Sequence, residues 1–239
     1  MKNIAIIPAR GGSKRIPRKN IKFFNGKPII AYSIETAIKT GLFDEVMVST
    51  DDEEIATIAR QYGASVPFYR SENTANDYAT LADVLKEVMN TYLERGEQFD
   101  NMCCILATAP LITSELIEQS FYKLQNSDEF STVYPIIPFS YPIQRCLQMD
   151  EEGCISMKWP EYLTSRSQDL ETLYHDSGTF YWHRVGMWMR GEIKRAAVVM
   201  DELHVQDIDT EIDWKLAELK YGLLNEKQEE DFFSSRRGQ

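Results

Sequence analysis

An apolar run, Ile4 to Ile7, leads directly into a loop that holds Gly11 and Gly12 among five cationic side chains. The unbroken run predicts a short strand buried on both faces, as in a parallel sheet. Glycines let backbone N–H groups approach an anion closely, and adjacent amides in a turn form an anion-binding concavity. The spacing matches neither the Walker A motif nor the dinucleotide-binding fingerprint. The segment therefore predicts a strand that opens into a phosphate-binding loop of another kind.

The cations of this loop contrast with the acidic composition of the chain. They lie within ten consecutive positions and are Arg10, Lys14, Arg15, Arg18 and Lys19. The whole chain of 239 residues carries a net charge of −11. This balance argues against general nucleic-acid binding, because such binding needs an extended basic surface. A solvated basic loop is the alternative, but positive charge concentrated in one loop of an acidic chain favours a local phosphate site.

Strand and helix patterns alternate along most of the chain. Asn25-Gly26 predicts a tight turn, and Pro28 suits the first position of a helix that ends at Gly41. Further strands are predicted at residues 45–50, 65–69, 102–106, 131–134, 179–182 and 196–200, with helices at 51–62, 81–92, 113–124 and after Thr210. This order predicts an α/β fold with a mostly parallel sheet, helices on both faces and right-handed crossovers.

The carboxyl ends of the predicted strands indicate where a ligand would bind. Open α/β sheets bind ligands in the crevice at that edge. The loops that would meet there are residues 8–20, 50–52, 68–80 and 107–113. Between residues 136 and 173 the periodicity is lost, although many large apolar side chains remain. We therefore expect one domain over residues 1–239, with an excursion from the sheet at about 136–173.

The cysteines and the hydropathy of the chain indicate the cellular compartment. The four cysteines show no CxxC spacing, and Cys103 and Cys104 lie in an apolar run, so we expect buried thiols in a reducing compartment. No apolar stretch approaches the length that spans a membrane, and no signal peptide is evident. The expectation is a cytoplasmic protein with neither membrane nor nucleic acid as a partner.

A second cluster of charge lies near the C-terminal helix. Asp207 and Asp209 are two residues apart, so on extended backbone their carboxylates point to the same side and can share one hard cation. Magnesium, with manganese as a substitute, suits one or two carboxylates together with substrate phosphates. Asp213 differs, because with Thr210 it forms a capping-box pattern. The alternative is that all of these acids merely cap the last helix.

The loop sequence Ile-Pro-Ala-Arg-Gly-Gly-Ser-Lys-Arg-Ile-Pro-Arg-Lys-Asn, residues 7–20, resembles the N-terminal signature of the CMP-sialic acid synthetase family. These enzymes are cytidylyltransferases that activate nonulosonic acids. Arg15 stands where the sialate enzymes usually carry glycine, so the chain looks most like the pseudaminic acid cytidylyltransferase branch. The resemblance implies a Rossmann-like, GT-A-like nucleotidyltransferase fold. It also implies a homodimer in which the excursion is a small dimerisation insertion that reaches toward the partner's active site.

In a family member the anomeric hydroxyl of a nine-carbon keto-sugar acid attacks the α-phosphorus of CTP and expels pyrophosphate. The resemblance, with the matching Asp-Ile-Asp-Thr, implies catalytic roles for Arg10, Lys19, Asp207 and Asp209, the last two holding one or two magnesium ions. The nucleotide-binding positions it implies are Pro8, Ala9, Arg10, Gly11, Gly12, Ser13, Lys14, Arg15, Lys19, Asn20, Arg70 and Thr80. For Arg70 the alternative is a surface ion pair with Glu72.

The sugar site departs from the sialate pattern. The positions that match it are Leu106, Thr108, Gln144, Arg166, His175, Ser177 and Gly178. Leu106 and Ile112 replace a polar residue and a cation of the sialate enzymes, which favours a deoxygenated, diacylamido sugar such as pseudaminic acid. Arg166 would pair with the sugar carboxylate, whereas His175 stands where a second arginine is usual. For His175 the alternative is a core histidine.

Several alternatives to a pseudaminic acid enzyme stay open. Legionaminic and sialic acid are other sugars of the same branch, and a CMP-KDO synthetase is a more distant relative. A protein of another class would bind nucleotide without catalysis. Such a protein would be expected to lose Lys19, Arg10 or an acid of the Asp-x-Asp pair, and this chain keeps all of them.

Overall fold

A seven-stranded sheet lies at the centre of the computed structural model, which describes residues 1–237 and the side chains of residues 1–226. The strands are β1 (Asn3–Pro8), β2 (Phe23–Phe24), β3 (Lys27–Pro28), β4 (Glu45–Ser49), β5 (Asn101–Ile105), β6 (Thr132–Pro138), β7 (Leu147–Met149), β8 (Ile155–Met157), β9 (Tyr174–Asp176), β10 (Phe180–Arg184) and β11 (Arg195–Val199). The helices are α1 (Ile29–Thr40), α2 (Glu53–Gln61), α3 (Glu72–Ala75), α4 (Leu81–Glu94), α5 (Ser114–Gln125), α6 (Val185–Met189) and α7 (Glu211–Arg237).

The central sheet has the order β11-β6-β10-β5-β1-β4, with β9 paired to β6. Strands β4, β1 and β5 are mutually parallel, and β11 is parallel to β6. Because β10 is antiparallel to both β5 and β6, all five of these strands run the same way and only β9 and β10 are reversed. The predicted α/β fold with a mostly parallel sheet is confirmed.

Strand β1 is buried on both faces. Ala5 and Ile7 face the layer formed by α1, α2 and α5, whereas Ile4 and Ile6 face α4. This alternation follows from the two-residue period of a strand. The buried apolar residues of α4 pack against the second face, and they include Leu85, Val88, Met89 and Tyr92. Helices therefore cover both faces of the sheet, as predicted.

Three local predictions differ from the structure. Residues 65–69 do not form a strand: only Ser65 makes an isolated bridge to Met47, because Pro67 lacks the N–H that would continue the ladder. Pro28 belongs to the β2–β3 hairpin and occupies the position just before α1, not the first position of the helix. Ile38, which the spacing of the apolar residues in α1 assigns to the buried face, is 46% exposed, although its neighbour Ala37 is buried.

The segment between β6 and β9 leaves the central sheet. It contains the separate β7–β8 hairpin and three short 3-10 turns. Strand β6 continues to Pro138, so the segment begins slightly later than residue 136. Its apolar side chains are unusually exposed, namely Tyr141, Leu147, Met149, Ile155 and Leu163. Among the residues that the structure describes, no helix combines the length and apolar character needed to cross a membrane.

Asp52 connects the cationic loop to the start of α2. Its carboxylate accepts a hydrogen bond of 3.0 Å from the backbone N–H of Ile55 and so caps the helix. The same carboxylate accepts two hydrogen bonds from the Arg18 guanidinium, at 2.5 and 2.9 Å, and Glu54 accepts a third from Arg18. Arg18 has a positive φ of 54°, so this anchor also holds a left-handed backbone position in place.

We expect Asp52→Ala to lower the free energy of unfolding by about 1–2 kcal/mol, because it removes a helix cap and leaves Arg18 without its main partner. Asp52→Asn is the matched control, since an amide oxygen can still cap the helix, and it should lose less stability. Urea denaturation measures both variants. Equal losses in the two would contradict the capping role.

The same pair predicts a pH dependence. The hydrogen bond from Arg18 lowers the pKa of Asp52 in the folded protein. A carboxyl with a depressed folded pKa contributes stability above its unfolded pKa and loses it as the pH falls through the folded value. The stability difference between wild type and Asp52→Asn should therefore shrink below about pH 4 in urea titrations. A difference that stays constant at lower pH would count against the ion pair.

Candidate active site

A cavity of about 310 Å³ opens at the carboxyl edge of the sheet, between the loop after β1 and the start of α4. Nine of the residues predicted to bind nucleotide or sugar line it: Pro8, Arg10, Ser13, Lys19, Asn20, Arg70, Thr80, Leu106 and Thr108. These residues come from three separate loops, those after β1, before α4 and after β5, and the parallel strands bring them together. The position is the crevice where open α/β sheets bind their ligands.

Backbone contacts set the shape of the loop after β1. The N–H of Ala9 donates to the Ser49 carbonyl at 2.9 Å, and the N–H of Gly11 donates to Oδ1 of Asp51 at 3.0 Å. The amide of Asn20 donates to the carbonyl of Arg10 at 3.0 Å and so holds the two ends of the loop together. A Cβ at Gly11 would lie 2.7 Å from Oδ2 of Asp52, so this close approach requires glycine.

Two loop cations share one acid across the mouth of the cavity. Asp77 accepts a hydrogen bond from Arg10 at 2.6 Å with one carboxylate oxygen and from Lys14 at 2.5 Å with the other. Arg10 also donates to the backbone carbonyl of Asn76 at 3.2 Å. The hydrogen bond from Lys14, and after it that from Arg10, lowers the pKa of Asp77. The carboxylate is therefore ionised at neutral pH.

Two other loop cations meet Asp209. Arg15 donates to its Oδ2 at 2.7 Å, and the Lys19 ammonium lies 3.6 Å from its Oδ1. Lys19 also donates to the carbonyl of Ile208 at 2.6 Å. Ile208 is buried in a cluster that includes Ile16 of the loop. This apolar packing places Asp209 beside the loop, although the two are far apart in the sequence.

The three acids near α7 have different surroundings. Asp213 accepts from the N–H of Thr210 at 2.7 Å while the Thr210 hydroxyl accepts from the N–H of Asp213 at 3.3 Å, which is the predicted capping box. Asp209 points to the cationic loop, so the alternative that all the acids only cap the helix is wrong. Asp207 is exposed nearby.

The acids could take part in holding a hard cation. No group of three or more histidine, cysteine or acidic side chains suited to a metal occurs among residues 1–226. Asp207 and Asp209 would therefore supply at most two carboxylates. That donor set fits magnesium, which keeps several waters and shares its coordination with substrate phosphates.

Arg70 lies inside the protein and makes no ion pair with Glu72, so that alternative is wrong. Its guanidinium donates to the carbonyl of Ser49 at 2.7 Å and lies 3.3 Å from the Ser49 hydroxyl. Burial lowers the pKa of Arg70. Thr80 caps α4, where it forms a capping box with Asp83. Both residues are therefore held by hydrogen bonds at the wall of the cavity.

The residues proposed for the sugar fall into two groups. Leu106 and Thr108 line the cavity, and the N–H of Leu106 donates to the carbonyl of Thr179 at 2.8 Å. That bond places the turn at Ser177 and Gly178 beside Leu106. Gly178 has a φ of 64°, which favours glycine in this turn.

The other sugar positions, Gln144, Arg166 and His175, do not line the cavity, and neither do Ser177 and Gly178. Gln144 is buried and donates to the carbonyl of Glu171 at 2.8 Å, while its Oε1 has no hydrogen-bond partner among the described residues. Arg166 is exposed. His175 is also exposed and packs against the ring of Phe139 at 4.8 Å, so the alternative of a core histidine is wrong.

The cavity also has walls that sequence reasoning missed, formed by the segment before α4 and the first turn of that helix. The residues are Thr74, Asn76, Asp77, Ala79, Leu81 and Val84, and Ala107 adds to the wall from the loop after β5. Their loop was predicted to reach this edge, but no pattern in it distinguished Asp77 from the other acids. The distinguishing signal is its contact with Arg10 and Lys14, which only the folded chain shows.

Comparison with known proteins agrees with this geometry. A family model described as cytidylyltransferase matches residues 4–184. The chain is 42% identical to a pseudaminic acid cytidylyltransferase of Campylobacter jejuni, over 95% of this chain and 99% of that protein. It is 31% identical to a CMP-N,N'-diacetyllegionaminic acid synthase of Legionella pneumophila, over 91% of this chain and 95% of that protein.

The fold has a solved counterpart as well. A CMP:2-keto-3-deoxy-manno-octonic acid synthetase, determined in complex with CTP, superposes with a TM-score of 0.66 at 19% identity and covers 95% of this chain and 100% of its own. At that identity the likeness concerns the fold alone. The family match runs from β1 through β10, and it makes this chain a member of the cytidylyltransferase family, as the residues around Gly11 and Gly12 indicate.

Proposed function

We propose that this enzyme transfers CMP from CTP to the anomeric hydroxyl of pseudaminic acid and releases pyrophosphate. The observation that carries the proposal is the 42% identity, over nearly the full length of both chains, to a pseudaminic acid cytidylyltransferase. The cavity supports it, because the cations predicted to bind a triphosphate lie at its mouth beside the residues proposed for cytidine.

The reaction depends on charge neutralisation and alignment more than on covalent chemistry. Arg10 and Lys19 line the cavity, while Lys14 and Arg15 adjoin it through the acids that they share with those two residues. These side chains would bind the triphosphate and stabilise the negative charge that develops on the departing pyrophosphate. The backbone N–H of Gly12 would add an uncharged donor, whereas that of Gly11 already donates to Asp51.

The metal proposal concerns Asp207 and Asp209, whose donor set suits magnesium. A bound magnesium ion would neutralise phosphate oxygens and help to orient the triphosphate. In the nucleotide-free chain Asp209 is paired with Arg15 and Lys19, so it lies where phosphate-binding cations and a metal ligand would meet. We place one or two ions here, with manganese as a possible replacement.

Cytidine would be recognised by a rigid surface. Arg70 is held by Ser49 at the end of β4 and could donate to the acceptors of a cytosine edge. The carbonyls at Pro8 and Ala9 could accept from its exocyclic amine. Thr80 would contribute from the N-terminal end of α4, and the structure gives Asn20 a further role in closing the loop.

Sugar selection would follow from the apolar character around Leu106. A partly buried leucine cannot hydrogen-bond a polar side chain of the sugar. The methyl and acylamido groups of pseudaminic acid suit such a surface better than the glycerol chain of sialic acid does. Legionaminic acid, the sugar in the name of the L. pneumophila relative, is the second candidate.

We also propose a cytoplasmic homodimer. The exposed apolar side chains of residues 139–173 would be covered in a dimer, and Gln144 and Arg166 would then reach the partner's sugar site. Isolated apolar residues on a surface are common, but several in one segment favour an interface. The four cysteines are free thiols, and Cys103 and Cys104 are buried, which suits a reducing compartment.

The first test is pyrophosphate release with CTP and magnesium in the presence of pseudaminic, legionaminic, N-acetylneuraminic or KDO acid. We expect strong turnover with pseudaminic acid and at least about tenfold lower kcat/KM with N-acetylneuraminic and KDO acids, since polar mismatches in an apolar pocket are poorly tolerated. Legionaminic acid, as the second candidate, should come closest to pseudaminic acid. Strong turnover with sialic acid would overturn the sugar assignment but keep the reaction. CTP binding without turnover on any sugar would favour the non-catalytic alternative.

The second test compares two neighbouring acids. Asp209→Ala should lower kcat by at least about a hundredfold, because it removes a charged group next to the triphosphate site, while the melting temperature stays close to that of the wild type. Asp213→Ala is the matched control and should lower the melting temperature while most activity remains, because its carboxylate caps α7. Manganese binding followed by electron paramagnetic resonance should weaken only in Asp209→Ala. Wild-type activity or unchanged manganese binding in that variant would contradict the metal role.

The third test addresses the dimer. Met149→Lys combined with Ile155→Lys places charges on the β7–β8 hairpin, where both residues are exposed. We expect these substitutions to shift the protein from dimer to monomer in sedimentation velocity. Leu93→Lys, at an exposed position on α4, is the control and should leave the dimer intact. A wild-type monomer would contradict the proposal directly.

A further inference from the structure

We propose that Asp77 is an electrostatic placeholder for the triphosphate: its carboxylate binds Arg10 and Lys14 in the nucleotide-free enzyme and leaves when phosphate oxygens arrive. The inference rests on the proposed function, because it takes these cations to be the phosphate ligands. It assigns to Asp77 the role of a positioning residue that lowers the affinity of the site for CTP and for the pyrophosphate product.

The geometry of the bridge resembles that of a bound phosphate. Two oxygens of one anion accept from two different cations, at 2.6 Å from Arg10 and 2.5 Å from Lys14. Phosphate groups bind arginine and lysine through the same kind of charge-assisted hydrogen bond. Arg10, Asn76 and Asp77 all line the cavity, so the bridge lies within the space that the triphosphate would occupy.

The exposure of Asp77 allows exchange. Its side chain is 40% exposed and that of Lys14 is 78% exposed, so the pair is screened by solvent and weakly held. The Arg18–Asp52 pair is less exposed, with Asp52 at 21%, and it also caps a helix. Of these two ion-paired contacts of the cationic loop, only the bridge through Asp77 can be broken with little loss of folding free energy.

The shape of the loop does not depend on this bridge. Asn20 holds the carbonyl of Arg10, Asp51 holds the N–H of Gly11, and Arg18 is fixed by Asp52. Arg10 keeps a hydrogen bond to the carbonyl of Asn76. Removal of the Asp77 charge should therefore release positive charge toward the ligand without loosening the loop. For this reason we expect tighter phosphate binding when the carboxylate is removed.

The experiment measures binding of CTP, pyrophosphate and cytidine to the full chain by isothermal titration calorimetry. In Asp77→Asn, CTP and pyrophosphate should bind about threefold to tenfold more tightly, which is the scale of two exposed ion pairs. Cytidine, which has no phosphate, should bind as it does to wild type. The affinity for CTP should also fall more steeply with added salt, because more uncompensated charge is present.

Two variants separate this role from a structural one. Asp77→Glu keeps the charge and should return the affinity for CTP toward the wild-type value. Glu72→Gln removes a negative charge from the same segment and should change CTP affinity less than twofold, because Glu72 has no ion pair within residues 1–226. Asp77→Ser repeats the test of Asp77→Asn if thermal melting shows that the amide disturbs the fold.

The outcomes distinguish the two proposals. Unchanged or weaker CTP binding in both Asp77→Asn and Asp77→Ser, with wild type binding CTP normally, overturns the placeholder role and leaves the cytidylyltransferase proposal standing. An equal change for cytidine and for CTP overturns it as well, because a placeholder acts only on phosphate. A wild-type protein that binds neither CTP nor pyrophosphate overturns both.

Discussion

Strand β1 is covered by helices on both faces and is paired with a strand along both edges, and this fixes the position of the active site. β1 lies between β4 and β5, with Ile4 and Ile6 against α4 and Ala5 and Ile7 against the opposite helical layer. A strand held in this way cannot shift its register without exposing apolar side chains. Its end at Pro8 is therefore fixed in the crevice, and so is the start of the cationic loop. The other walls of the cavity are built around this point.

The cationic loop then raises an electrostatic problem, because five cations lie within ten residues and repel one another in the absence of a ligand. Acids from three distant parts of the chain form ion pairs with these cations and so reduce the repulsion. Asp52 at the start of α2 supplies a permanent anchor, whereas Asp77 supplies an exposed partner at the mouth of the cavity and Asp209 a partly exposed partner beside the loop. Exposed ion pairs contribute little to stability, so a triphosphate can replace them without a large loss of folding free energy.

Sequence reasoning succeeded where a local pattern has a single physical meaning. The apolar run predicted β1, the capping pattern at Thr210 marks the start of α7, and Gly41 ends α1 with a positive φ. It was wrong where tertiary pairing decides. Residues 65–69 look like a strand but have no continuous partner, and nothing local indicates that β10 runs against its neighbours.

The amino-acid sequence was enough to identify the chemistry of this protein: a phosphate loop, an Asp-x-Asp pair and a family signature are each carried by neighbouring residues. The partners of those residues were decided by the fold. Arg70 has Ser49 as its partner and not Glu72, Asp209 lies beside Lys19, and Asp77 bridges two loop cations. Each of these contacts joins segments that are distant along the chain. They form because strand pairing and apolar packing, as at Ile16 and Ile208, bring the segments together, and no local pattern specifies such packing.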